Sequence, residues 1–406
     1  MEEIIVKEEF NFQHKDIFRR RALNWLLTMQ INQTRFRMVA GGGQTIFTSC
    51  FALFLLYLLR KQNVFPQREK DVWAAYINSF QDKDSGYYVP ANYNGELHSK
   101  VVHQLTCFCL SALHIVDGKP QYPFTFLKKW LSSENVEEYV RNIGCFKGKP
   151  MTGNMAMFLA IFLTYQYETH KDLFALDQLN KWFNCHNKAQ NPRTGFWGNS
   201  IGTKSYAGFQ NAFHQFLVYS YWGKPVQYHT KIVDTILSLQ APDGFFAPYP
   251  GGGGCWDYDA ADILINCGYY RGYKQEEIKD SLIRLLMAIL ASQNTDGGFC
   301  ESQKRPMYFG DVFSGDNKKF ILSGHDPSVW YYRLRTTASI SRSKMARIYT
   351  HWTSDGRLWN QSDLWNTWFR CLTIVAIDTV LSGDQKMDKT GWHFHKSIGL
   401  GYFRGK

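Results

Sequence analysis

The sequence predicts an all-α protein, an α/α toroid in which about six helical hairpins stand side by side, with their inner helices in one ring and their outer helices in another. Three observations predict it. First, a turn reading polar residue, Gly, aromatic recurs. It occurs as Asp84-Ser85-Gly86-Tyr87-Tyr88, Arg193-Thr194-Gly195-Phe196-Trp197, Asp243-Gly244-Phe245-Phe246, Asp296-Gly297-Gly298-Phe299 and Asp355-Gly356-Arg357-Leu358-Trp359, with a looser copy at Asn142-Ile143-Gly144-Cys145-Phe146. Second, these glycines lie 49 to 59 residues apart, by subtraction of their positions, and a fixed period of that length marks a stacked repeat. Third, the segments before the turns are amphipathic, whereas those after them are apolar almost all round, which is the alternation of half-wet and fully buried helices.

The elements follow in order. Gln30 marks a first copy of the turn without its glycine, 51 residues before Gln81. The apolar run from Thr45 to Leu59 reads as the first inner helix, since it falls short of the roughly 20 residues a bilayer requires. Phe108 to Val116, Met155 to Leu163, and Phe213 to Tyr221 read as further inner helices. Ile232, Ile236, Leu237 and Leu239, and then Ile278, Leu282, Ile283, Leu285, Leu286 and Ile289, have the helical spacing of outer helices. The turn glycine ends each outer helix in the left-handed conformation it tolerates best. A glutamine, Gln81, Gln190, Gln240 or Gln293, precedes most of these turns by a few residues. Lys389-Thr390-Gly391-Trp392 lies too close to the previous copy to be a full repeat.

Hairpins of this kind are buried by their neighbours. They could also form an open solenoid, but the inner helices are too apolar to face an open groove. No Pro/Ser-rich linker interrupts the chain, so residues 1–406 read as a single toroid domain. The interval 300–328, rich in Gly, Asp and Lys, is the largest insertion and reads as a loop at the cavity mouth.

Composition sets the broad class. Hydrophobic residues at 45% and aromatics at 16% exclude a disordered, collagen-like or coiled-coil chain. A formal charge of +11 favours acidic partners, among them diphosphates, acidic glycans and a membrane surface touched peripherally. Nucleic acid is not expected, because no recognition motif accompanies the charge. The acidic start, Met1 to Glu9, is no secretory signal, and the chain reads as cytoplasmic. Its nine cysteines include no Cys-x-x-Cys pair, so they read as buried thiols rather than disulfides or a zinc site.

Gln293-Asn294-Thr295-Asp296-Gly297-Gly298-Phe299 and Gln240-Ala241-Pro242-Asp243-Gly244-Phe245 resemble the repeats of the α/α-toroid superfamily, which includes class II terpene cyclases and the β subunits of protein prenyltransferases. The resemblance spans nearly the whole chain at repeat level and implies the toroid fold. Similar toroids occur among polysaccharide lyases and glycoside hydrolases, so activity must be argued from the site.

The candidate site is Gly251-Gly252-Gly253-Gly254-Cys255-Trp256-Asp257-Tyr258-Asp259-Ala260-Ala261-Asp262. If a helix starts near Asp257, that residue is its N-cap, and Asp259 and Asp262 share a face. Crowded carboxylates disfavour mutual ionisation, so one can hold a proton and serve as an acid; a helix N-terminus pulls the other way. Class II terpene cyclases carry Asp-x-Asp-Asp, whose middle Asp protonates an alkene or epoxide. By that resemblance Asp259 is the donor and Asp257 its partner, with Ala260 in place of the final Asp and Asp262 one turn further on. The prenyltransferase zinc site implies an Asp-x-Cys pair and a distant His. Asp257-Tyr258-Asp259 lacks the thiolate, so neither metal nor cofactor is expected.

Polar and aromatic residues near the starts of inner helices complete the set of expected substrate-binding groups: His103, Asn154, His214, Trp256, Tyr258, Trp330, Arg333 and Arg335. Three functions remain open on these residues. One is protonation of a polyprenyl substrate by the acid cluster of Asp257, Asp259 and Asp262. Another is a glycan lyase or hydrolase acting on an acidic saccharide, with His103, His214 and a tyrosine in acid/base roles. The third is a non-catalytic scaffold that binds a lipid or glycan.

Overall fold

The structure is a computed structural model that describes residues 12–59, 65–132, 135–149, 151–198, 206–306, 308–324, 326–343, 345–346, 353, 355–383 and 392–393. Lys389 to Gly391 and the acidic start of the chain lie outside the described residues. Fifteen α-helices are present among the described residues, and the only β pairing there is a few isolated bridges.

The helices alternate between outer and inner positions. Outer α1 (Phe12–Thr28) leads to inner α2 (Ile46–Leu59), and α3 (Gln67–Asn78) to α4 (Lys100–Ile115). The short α5 (Lys128–Ser132) and α6 (Val136–Asn142) precede inner α7 (Thr152–His170). Outer α8 (Leu173–Ala189) pairs with α9 (Tyr206–Tyr221), and α10 (His229–Leu239) with α11 (Gly254–Ile263). Outer α12 (Gln275–Ala291) is separated from inner α15 (Leu364–Leu381) by α13 (Gly315–Leu322) and α14 (Pro327–Ser341).

Around the inner ring α2 packs on α4, α4 on α7, α7 on α9, α9 on α11, α11 on α15, and α15 back on α2. That last contact makes the array a closed toroid rather than a solenoid. The outer layer closes too: Arg21 on α1 donates to Asn294 O at 2.9 Å in the turn after α12. The inner helices show why the sequence is so apolar. In α2 every residue but Tyr57 is buried, and in α15 burial runs from Leu364 to Val380. Aromatic rings fill the side of the barrel where they meet, with Phe51 stacked on Trp368 at 5.3 Å and edge-on to Phe108 at 5.2 Å.

The recurring turn has a physical explanation. Gly86, Gly195, Gly244 and Gly297 have φ between 75° and 97°. The preceding glutamine folds over the turn, and its side-chain amide donates to the glycine carbonyl, as Gln81 does at 2.9 Å, Gln190 at 2.6 Å, Gln240 at 2.9 Å and Gln293 at 2.8 Å. Three of these amides also reach the next repeat, donating to the carbonyls of Tyr122, Gln227 and Ser281 at 2.8 Å each. The glutamine thus staples one hairpin to the next, and the buried aromatics Tyr88, Trp197, Phe246 and Phe299 pack beneath it.

Two segments differ from expectation. Gly356 is not left-handed, and the Asp355 carboxylate instead accepts the Gly43 N–H at 2.7 Å, so this copy is a tie to the loop before α2. The interval 300–328 is more than a loop: it holds a 3₁₀ turn, Phe309–Phe313, and α13, both packed on α14. Among the described residues no helix is long and apolar enough to cross a membrane.

Candidate functional site

The glycine run sets the start of α11. Gly252 has φ +74°, and a Cβ there would lie 2.4 Å from the Phe245 ring and 2.6 Å from the Asp257 carboxylate. Gly254 opens the helix and donates its N–H to Asn366 on α15 at 3.1 Å, so the first turn of α11 presses directly against α15. Gly253, not Asp257, is the N-cap. Asp257 lies in the first turn, and its carboxylate reaches back to accept the N–H of Gly253 at 3.2 Å and of Phe246 at 2.8 Å.

The three aspartates have three different surroundings. Asp257 is fully buried and pairs with Arg370 at 2.6 Å. The Arg370 guanidinium also donates to Gly251 O at 3.1 Å and lies 4.7 Å from the Phe245 ring centre. Burial raises the Asp257 pKa to about 6, with Arg370 opposing the rise. Asp262 is buried too and accepts the Tyr258 hydroxyl at 3.3 Å. Asp259 is the member of the trio that lines a cavity. Burial, and then the nearby carboxylates of Asp262 and Asp257, push its pKa well above the ordinary carboxylate range. These surroundings favour the protonated form of Asp259.

Beneath the glycine loop the buttress continues. Arg357 pairs with Asp363 at 2.7 Å and with Glu301 at 3.3 Å, and Asn366 donates to both carboxylates.

The cavity has a volume of about 140 Å³. Each neighbouring helix offers it one stripe: Lys100, Gln104 and Phe108 from α4, Gln210, Asn211, His214 and Leu217 from α9, Cys255 and Asp259 from α11, and Trp365 and Phe369 from α15. Asn154 of α7 and Tyr332 of α14 complete the wall. Along α4 and α9 the stripe passes from cation or amide near the helix start to apolar groups further in. His214 Nδ1 donates to Gln210 O at 3.0 Å, which leaves Nε2 with its lone pair, and burial together with the Lys100 charge lowers the pKa of the ring to about 3. Burial lowers Lys100 to about 8.

Of the expected substrate-binding residues, the structure brings Asn154 and His214 to the cavity together with Asp259. The others lie elsewhere, for visible reasons. His103 is a core residue, hydrogen-bonded to the Tyr87 hydroxyl at 2.8 Å among the rings of Trp130 and Phe162. Arg333 has no exposed surface; it donates to Tyr206 at 2.8 Å and to the carbonyls of Leu239, Phe320 and Ser323, so it pins α13 and α14 to the outer layer. Trp330 donates to Gly324 O at 3.1 Å, and Arg335 is exposed. Trp256 packs between Tyr206 and Phe209, and Tyr258 packs edge-on to Phe213.

Sequence reasoning missed Lys100, Gln104, Trp365, Phe369 and Arg370. For Lys100, Gln104 and Phe108 a signal existed, because a spacing of four places them on one face of an inner helix. For Arg370 none did. Among the described residues no three His, Cys, Asp or Glu side chains gather as a metal site.

The family model described as the prenyltransferase alpha-alpha toroid domain matches residues 5–148 and 154–326. Among solved structures, the chain is similar to an aspartate-to-asparagine variant of the type II terpene cyclase MstE from Scytonema, in complex with geranylgeranyl dihydroxybenzoate. That similarity has 12% identity and a TM-score of 0.47, covering 91% of this chain and 98% of the other. No curated protein matches the chain significantly.

Proposed function

The chain belongs to the prenyltransferase alpha-alpha toroid domain family, and from that premise we propose that it is a terpene-cyclase-like enzyme in which Asp259 protonates an alkene or epoxide of a polyprenyl substrate. One observation carries the proposal: the aspartate of the cluster that reaches the cavity is buried beside two other carboxylates, surroundings that favour its protonated form.

Asp259 delivers its proton to a terminal double bond or epoxide, and the electron pair of the next double bond closes on the resulting cation. Trp365, Phe369, Phe213 and Phe108, all on the wall, are aromatic rings of the kind whose quadrupole stabilises a nearby cation. His214 Nε2, an uncharged acceptor on the same wall, takes the proton lost from the final cation. One proton enters and one leaves, so the reaction is an isomerisation. Asp257 has a positioning role: clamped by Arg370, it fixes the first turn of α11 and adds its field to that of Asp262 in keeping Asp259 neutral. A cavity of about 140 Å³ is close to the size that holds a benzene-sized apolar group. It therefore takes the reacting end of the prenyl chain rather than its full length.

The glycan reading loses its anion anchors, because Arg333 is committed to backbone carbonyls and Arg335 is exposed away from the cavity wall. The test is turnover in D2O of a panel of polyprenyl compounds and their epoxides, followed by mass spectrometry. The expected product is an isomer of the substrate, carrying one carbon-bound deuterium in place of one hydrogen where an alkene is protonated, and Asp259→Asn forms roughly 100-fold less of it. Equal turnover by Asp259→Asn would refute the assignment.

A further inference from the structure

The depth of the cavity is set by a wedge of aromatic rings behind its wall. Of the wall residues on α4 and α9, those furthest along the helices from their starts are Phe108 and Leu217. Phe108 is enclosed by other buried rings: it meets Phe51 edge-on at 5.2 Å and Phe47 edge-on at 6.0 Å, and lies 6.0 Å from both Phe54 and Trp368. Phe51 also packs edge-on to a second wall residue, Trp365, at 5.2 Å and is stacked on Trp368 at 5.3 Å. It thus stands between the α4 and α15 walls and backs both.

Protein interiors are packed as densely as organic crystals, so a ring enclosed in this way yields only by overpacking its neighbours. The deep end is therefore a fixed wall. In front of it the cavity has a volume of about 140 Å³, and an apolar cavity of about 150 Å³ takes a benzene-sized group. That is room for one six-membered ring. A second fused ring would have to occupy space that Phe108 and Phe51 already fill.

Resting on the prenyl reading above, we propose that the product is monocyclic, and that Phe108, backed by Phe51, sets this limit. The proton from Asp259 adds to the terminal double bond, whose electron pair becomes the new C–H bond. The pair of the next double bond then closes the ring as a C–C bond. The cation left at its far carbon loses a neighbouring proton to His214, and that C–H pair becomes a double bond. Two double bonds are consumed, one is restored and one ring is gained, with composition unchanged. With an epoxide the C–O bond breaks instead, and its oxygen keeps the pair and takes the proton as a hydroxyl. A second closure would fold the following double bond over the first ring, against Phe108. His214 and Asp259 lie on the same wall, so acid and base line a single ring-sized space.

The test compares the full chain with Phe108→Ala and Phe51→Ala, each checked for native helicity by circular dichroism. Either substitution removes a phenyl ring, and the surroundings refill such a space only in part. In one arm, products from acyclic polyprenyl compounds and their epoxides are hydrogenated exhaustively, so that mass spectrometry counts each ring as a missing pair of hydrogens. In the other, binding of toluene and naphthalene, apolar probes of one ring and two fused rings, is followed by thermal shift. Wild type is expected to give a one-ring product and to bind toluene roughly tenfold more tightly than naphthalene. Both variants are expected to reverse that preference and to release two-ring product. Where turnover occurs, the ring count decides. A two-ring product from wild type, or a folded Phe108→Ala that behaves as wild type, overturns the limit and leaves the prenyl reading standing. Wild-type behaviour of Phe51→Ala alone overturns its role behind the wall. The expected probe preferences without turnover of any polyprenyl compound overturn the prenyl reading and keep Phe108 as the wall of a ring-sized pocket. Failure of both arms overturns both.

Discussion

Replacing Arg370 with methionine separates the ion-pair role of this residue from its hydrogen-bonding role, because the two respond differently to pH. Arg370 and Asp257 are 1% and 0% exposed in their side chains and lie 2.6 Å apart. Removing one partner of such a pair costs about 3–5 kcal/mol while the other is ionised. The Asp257 pKa is raised from 3.8 to about 6 in the folded protein, chiefly by burial and against the pull of Arg370. The stability linked to its protonated form is therefore fully present below 3.8 and is lost in wild type as pH rises to about 6. In Arg370→Met the opposing charge is gone, the folded pKa rises further, and the loss continues above pH 6. At pH 5 both proteins hold the proton, and the deficit falls to that of the unmatched Gly251 carbonyl, about 1–3 kcal/mol. The deficit of the variant is thus expected to grow by about 2 kcal/mol between pH 5 and pH 8. Urea unfolding followed by tryptophan fluorescence at both pH values measures it. Adding Asp257→Asn to the variant is expected to abolish the growth. A deficit of equal size at pH 5 and pH 8 would falsify the clamp.

Two further outcomes follow from the geometry of the ring. Gln190→Ala leaves the carbonyls of Gly195 and Gln227 without their side-chain donor and is expected to cost about 1–3 kcal/mol, read as a lower urea midpoint with unchanged helicity. Gly153→Ala places a Cβ 2.0 Å from Asn211 O, so α7 and α9 must separate. A cost of about 1–3 kcal/mol is expected from overpacking, together with weaker prenyl-ligand binding, since Asn154 and Asn211 lie on the cavity wall; binding at wild-type strength would show that the wall does not depend on this close approach.

The parts of the molecule that could be read from the sequence are those whose physics is local or periodic. The Gln-to-Gly spacing was visible because one side chain must reach a carbonyl four or five residues away, and it recurs because every hairpin needs the same staple to the next. The candidate acid cluster was visible for a similar reason: Gly251 to Asp262 is a single turn and helix start. What the sequence could not supply was the identity of the partners. Arg333 read as an anion anchor because nothing within its own helix shows that Leu239 O and Tyr206 receive its donors, 94 and 127 residues away in sequence.

The aspartate trio shows the same limit in its sharpest form, and it bears on mechanism. Spacing made Asp259 and Asp262 neighbours on a face and left Asp257 as a cap, but it could not show that Asp257 pairs with Arg370, 113 residues later in the chain. Because that guanidinium pairs with Asp257 alone, it removes the need for Asp257 to be neutral and leaves Asp259 without a cation of its own beside two carboxylates. Ala260 then needs no replacement by a third adjacent carboxylate. Asp262, one turn along the helix, already exerts the largest repulsion on Asp259 among the charged groups. A helix with Asp at 257, 259 and 262 can thus hold one protonated carboxyl toward the cavity by geometry alone, provided that the inner helix carrying Arg370 closes the ring against it.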